Sequence, residues 1–223
     1  MAHEAMGAWM AFLVLALTGE RRELMRRQAL SAPARGLYKA AVLLLPAAVL
    51  LALLDALVEM PQVGWLESST LVWWAGCLLL GGWMLRHDSA RQDWSAPGWA
   101  GLQAQALCVG YGWLLAGALL GLAGRWWPMA AMGPAWHAVL LGFAFSLVFG
   151  LAPMLLQARA GIAPRYTPWL KLPLWLLAAS LLLRIGASGF GHPALQAAAG
   201  IGQALAIGGW ALWMARAAWP AGR

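Results

Sequence analysis

Charge is scarce in this chain. Only 10% of its 223 residues are Asp, Glu, Lys or Arg, against roughly a quarter in a soluble domain. A water-facing surface on a fold of this size needs more polar groups than that, so a soluble globular domain is excluded. Cysteine is nearly absent. Cys77 and Cys108 lie inside apolar runs without the short spacing of a redox or zinc motif, so they read as small buried residues. No Walker sequence, zincin helix, dinucleotide fingerprint or Ser–His–Asp grouping appears, and no reaction is assigned. The start of the chain, with His3 and Glu4, lacks a basic segment before its first apolar run, so no cleavable signal is expected.

Apolar sequence is what remains: 62% of residues are hydrophobic and the mean hydropathy is +0.68. Lipid is the natural solvent for such a chain. Seven apolar runs follow one another: 5–18, 37–58, 70–85, 97–123, 134–158, 169–185 and 194–217. They are continuous rather than alternating, so helices are expected and strands are not. The reading is a single all-α transmembrane domain over 1–223, a bundle of seven spanning helices. The first run is short, and without it six remain. Tryptophan is abundant at sixteen residues. Trp65, Trp94, Trp99, Trp126, Trp127, Trp136, Trp169 and Trp219 stand near run ends, the position of an interfacial belt.

The net charge of +7 does not suggest nucleic acid, because the basic residues flank membrane runs, where anionic lipid explains them. Thirteen of the fifteen Lys and Arg fall on one side of the seven-run topology; only Arg125 and Arg184 fall on the other. The positive-inside rule then puts the N-terminus outside and the C-terminus inside a bacterial inner membrane. The densest basic segment, 19–36, reads GERRELMRRQALSAPARG. It is expected at the inner surface, with room for a short amphipathic helix.

Small residues mark helix contacts. Ala138, Gly142, Ser146 and Gly150 recur every four positions, as do Gly117 and Gly121, a spacing that lets two helices approach closely. Pro46, Pro153 and Pro173 are expected to kink their helices. Gln103, Gln105 and Gln203 are candidates for hydrogen bonds between helices. Asp55 and Glu59 share a helix face near the outer end of the second run. Other membrane subunits, or further copies of the chain, are the partners such faces suit.

Four histidines are the candidates for chemistry. The topology puts His3, His137 and His192 near the outer face and His87 at the inner face, beside Asp88 as its expected partner. Neutral imidazole ligates copper and haem iron, so His137 and His192, with His3 as a third donor, form the candidate metal and cofactor site.

Residues 134–190 carry HAVLLGFAFSLVFGLAP and, further on, WLLAASLLLRIG. This region resembles bacterial polytopic membrane proteins similar to the NnrS-like haem- and copper-binding family. His137 stands at the leading histidine of that pattern. Gly142, Phe143, Ser146, Gly150, Ala152, Pro153, Ser180 and Arg184 fit other positions. Leu151 and Ala178 stand where the family has histidines, and neither can ligate a metal. The resemblance implies a divergent haem- or copper-associated membrane protein. The alternatives are a structural or assembly subunit without cofactor and a small transporter component.

Overall fold

The computed structural model describes residues 2–25, 29–58 and 65–218. Among them every regular element is helical and no strand occurs. Helices α1 (Ala2–Leu24), α2 (Ala32–Val58) and α3 (Trp65–His87) lead, by way of a 3₁₀ turn at Ser89–Arg91, to α4 (Gly98–Ala123). Then come α5 (Pro128–His137), a π-helical segment Ala138–Ala144 and α6 (Phe145–Ala160). After a 3₁₀ turn at Pro168–Leu170, α7 (Lys171–Gly189) and α8 (Pro193–Ala218) complete the chain. The segment α5–π–α6 is continuous, so the described residues form seven rods.

Helix is the form these runs must take, because in lipid every backbone donor and acceptor has to be satisfied within its own segment. Backbone-specific residues stop the rods. Gly161 adopts φ 68° beyond α6 and its N–H bonds the Gln157 carbonyl, the left-handed cap that glycine favours. Gly191, at φ 66°, turns the chain between α7 and α8.

Five described segments are long and apolar enough to cross a membrane: 32–57, 98–123, 132–160, 168–189 and 193–217. The chain is therefore a helical membrane protein. The first and third runs do form helices, but α1 and α3 are not among these five. Residues 19–24, expected as part of a surface loop, instead prolong α1, and residues 32–36 open α2. No separate amphipathic helix stands between them among the described residues. The reason is tertiary: the end of α1 is drawn in by a buried ion pair that Arg21 makes with Asp88, just beyond α3.

Helix α4 is the hub. It packs against α3, α5, the π segment and α6, while α2 pairs with α3 and α7 with α8. Its glycines seat neighbouring side chains. A Cβ on Gly121 would run into the Trp74 indole of α3, and one on Gly117 would stand 2.9 Å from Val139. From the facing rod, Gly142 receives Trp113 of α4, and a Cβ on Gly150 would stand 3.0 Å from that of Ala106. Ala138 and Ser146 are buried in the same contact.

The π segment keeps this face aligned. In an α-helix, positions four apart drift by about 40° per step, so three steps would rotate Gly150 well away from Ala138. A π segment turns less per residue and rotates the face back. Sequence spacing alone predicts an ordinary helix here, because the wider winding answers to α4 rather than to local propensity.

Candidate functional site

Among the described residues the histidines build no metal cage. His137 is half-buried, about two and a half turns into its rod, and its Nδ1 lies 2.8 Å from the Gly133 carbonyl of the preceding turn. It is thereby tied to its own helix. His192 is exposed in the α7–α8 turn, and its backbone N–H donates to the Ala187 carbonyl. The His3 side chain lies outside what the structure describes, as do Glu59 and the side chain of Glu67. Among the described residues, no group of three or more His, Cys, Asp or Glu could hold a metal ion. Leu151 is buried in the apolar core and Ala178 is half-buried against it. At both positions where the NnrS-like pattern has histidine, this protein presents hydrocarbon. Neither of those two positions supplies a ligand.

His87 does not pair with Asp88. Its ring stacks on Trp83, with centroids 4.9 Å apart, and its Nδ1 meets the Trp83 carbonyl at 3.0 Å. Asp88 belongs to Arg21 instead. The guanidinium grips the carboxylate with two bonds, Nε to Oδ2 and Nη2 to Oδ1, both 2.7 Å. Tyr111 of α4 donates its hydroxyl to Oδ2 at 2.6 Å, and the Ala90 N–H donates to Oδ1 at 2.8 Å. Asp88 is 1% exposed and Arg21 11%.

Burial alone would raise the Asp88 carboxyl. The hydrogen bonds from Arg21 and Tyr111 and the nearby positive charge outweigh it, and the group sits below the ordinary carboxylate value. Four donors fill both oxygens, so the carboxylate has no capacity left for a substrate. The network is a clamp joining α1, α3 and α4. Nothing in the sequence singled out Arg21 among its neighbouring arginines, nor Tyr111. The one local signal is Asp88 at the N-cap of the 3₁₀ turn.

At the opposite end of the rods, α1, α2, α3 and α5 line a half-open cavity of about 300 Å³, at the small end of the range for ligand pockets. Small residues form one wall: Gly7 and Ala8 of α1, Ala48 and Ala52 of α2. Three indoles form the other. Trp73 and Trp74 of α3 pack edge to face at 4.5 Å, and Trp136 of α5 lies 4.9 Å from each. Ser69 and Thr70 add hydroxyls to the lining. The Trp73 Nε1–H is buried with no acceptor among the described residues.

Trp136 reads from sequence as part of an interfacial belt; the structure puts it in this cluster. Trp94, Trp126, Trp127 and Trp169 are exposed, and Trp99 donates to the Pro164 carbonyl at 3.2 Å. Trp219 and the side chain of Trp65 lie outside the described residues. Neither His137 nor His192 lines the cavity.

The glutamines serve separate contacts. Gln105 donates to the Trp94 carbonyl at 3.0 Å, Gln103 approaches the Met154 sulfur at 4.0 Å, and Gln203 accepts from Arg184. Asp55 is half-buried near the end of α2. Cys77 is buried and Cys108 half-buried, both as free thiols.

No curated protein and no solved structure matches this chain. One family model does, over residues 1–219. That match takes in all seven rods, and the chain belongs to the family described as a domain of unknown function, DUF8744.

Proposed function

We propose that the chain is a seven-span protein of the bacterial inner membrane, N-terminus outside and C-terminus inside. It acts as a binding or assembly component that holds a neutral, largely apolar molecule in its tryptophan-walled cavity. The observation that carries this reading is the cavity itself, with one aromatic wall, one wall of small residues and two hydroxyl side chains in its lining. Membrane-soluble molecules with a flat or chain-like body suit that lining. The Trp73 indole N–H, without an acceptor among the described residues, supports a ligand that carries an acceptor oxygen, because buried donors are rarely left without a partner.

The topology rests on the distribution of Lys and Arg and on the length of the rods. Helices α1 and α3, at 23 residues each, are about 34 Å long, enough for a hydrocarbon core of about 30 Å. The donor set favours this reading over a haem- or copper-associated NnrS-like protein, and no observation favours a transporter component.

A brominated alkyl ketone tests the cavity, because bromine quenches nearby indoles. Saturable quenching is expected in the native protein and its loss in Ala52→Phe, which fills the pocket. Equal quenching in both would overturn the cavity reading. Reporters fused after residues 58, 125 and 218 test the topology: outside, outside and inside signals are expected, and a reversed pattern refutes the orientation.

A further inference from the structure

All eight acidic residues lie at or before Asp93, so residues 94–223 contain none. Arg184 of α7 therefore has no carboxylate within its own helical hairpin. It is half-buried, and among the described residues its one polar partner is Gln203 of α8, whose Oε1 accepts from Nη1 at 3.4 Å. That is long for a bond carrying a full charge.

The guanidinium is also deep. Gly200 and Gln203 stand seven and ten residues beyond Pro193, where α8 begins, so about 10–15 Å below the helix end at 1.5 Å per residue. Side chains lean toward the N-terminus of their helix. In α7 that direction is away from the α7–α8 turn, so Arg184 reaches down to Gln203 rather than up to the nearby surface. Ordinary snorkelling is thereby disfavoured. An arginine at that depth is costly without an anionic partner.

The surroundings supply donors. Gln196, Gly200 and Gln203 share one face of α8 by their spacing, and Gln196 Nε2 meets the Ala187 carbonyl of α7 at 3.5 Å. A Cβ on Gly200 would stand 3.6 Å from Arg184 Nη1, so the glycine brings the α8 backbone close beside the charge. Gln203 is 5% exposed and its Nε2 has no acceptor among the described residues. With Oε1 turned to Arg184, the amide N–H groups are the unmet need. A guanidinium whose one described acceptor stands at 3.4 Å, beside an amide Nε2 with none among the described residues, matches a group with several anionic oxygens.

We propose that Arg184 and Gln203 form a binding site for a phosphate group, entering between α7 and α8 from the end at which they turn. At that depth the natural bearer is a phospholipid headgroup, drawn in by local thinning of the bilayer; free phosphate is the other source. The site is separate from the tryptophan cavity, which neither α7 nor α8 lines.

The test uses the full chain, stripped of lipid in a neutral detergent. Its thermal protection is titrated with phosphatidylglycerol, with uncharged diacylglycerol and with inorganic phosphate. Saturable protection by phosphatidylglycerol but not diacylglycerol is expected, about 10-fold weaker in Arg184→Gln, weaker in Gln203→Leu and partly retained in Arg184→Lys. Protection by inorganic phosphate that competes with the lipid would support the site and name the free ion as its ligand. Unchanged affinity in Arg184→Gln would overturn the proposal. So would dissociation of an oligomer in that variant with phosphate binding intact, which would assign Arg184 to a carboxylate of another chain. If Arg184→Gln does not fold by gel filtration, Gln203→Leu decides, and unchanged affinity there sinks the site.

Discussion

Arg21 and Asp88, 67 residues apart in sequence, meet in a two-pronged ion pair with both bonds at 2.7 Å. With Tyr111 donating to the same carboxylate, the pair ties three helices together at the basic end of the bundle. Removing either charge leaves the other buried and uncompensated, which costs about 3–5 kcal/mol. Arg21→Ala and Asp88→Ala should each lower stability by that order in a reversible unfolding titration. The double variant Arg21→Met/Asp88→Leu should cost less than the two single changes added together. Simple additivity would show that the two side chains do not interact.

Tyr111→Phe keeps the ring and removes one of four donors to Asp88. The expected loss is about 1–3 kcal/mol, as for a charge-assisted bond. A variant as stable as the native protein would show that the hydroxyl does not reach the carboxylate.

The Asp88 carboxyl titrates below its ordinary value of 3.8. The unfolded chain therefore takes up this proton first as pH falls, and the stability the group contributes is complete above the unfolded value. It is lost as pH drops from there through the depressed folded value. Melting curves should show an acid-side loss of stability, below about pH 4, that is smaller in Asp88→Asn. An identical acid profile in that variant would assign the loss to other carboxylates.

Gly121 and Gly208 make a matched comparison. A Cβ at Gly121 would meet the Trp74 indole, whereas one at Gly208 would meet nothing within 4 Å. Gly121→Ala should destabilise by about 1–3 kcal/mol through overpacking. Gly208→Ala should be neutral or stabilising by about 0.5–1 kcal/mol, because alanine gives up less backbone freedom in a helix. Heat denaturation in one detergent distinguishes them, and equal effects would contradict the packing of α3 on α4.

His137 decides the haem reading. Among the described residues it joins no cluster of three or more metal-binding side chains, so His137→Ala should leave both the absorption spectrum and the stability of the purified protein close to native. A Soret band that His137→Ala abolishes would restore a haem-ligand role against the reading drawn from the donor set.

The helical rods were legible because a continuous apolar run in lipid leaves the backbone one local solution. Each of the seven expected runs forms the body of one rod, but the ends fall elsewhere: α1 runs past Thr18 to Leu24, the rod of α5 begins before Pro134, and α7 begins at Lys171. End positions depend on contacts, and Arg21 is the instance. A lone arginine near several others in sequence carries no sign of which one will be buried. The same limit misassigned Asp88 to His87, its neighbour in the chain, when its partner lies 67 residues away. The tryptophan cavity draws on four helices, and of its three indoles the sequence marks only Trp136, as an interfacial residue.

By itself, then, the sequence determined the solvent, the helical class and the small-residue spacing every four positions, since these follow from composition and local periodicity. Tertiary structure decided which charges meet, how the fifth rod winds to keep its small residues facing α4, and where a cavity remains. Those depend on side chains brought together from distant helices, and no local pattern records which helices will touch.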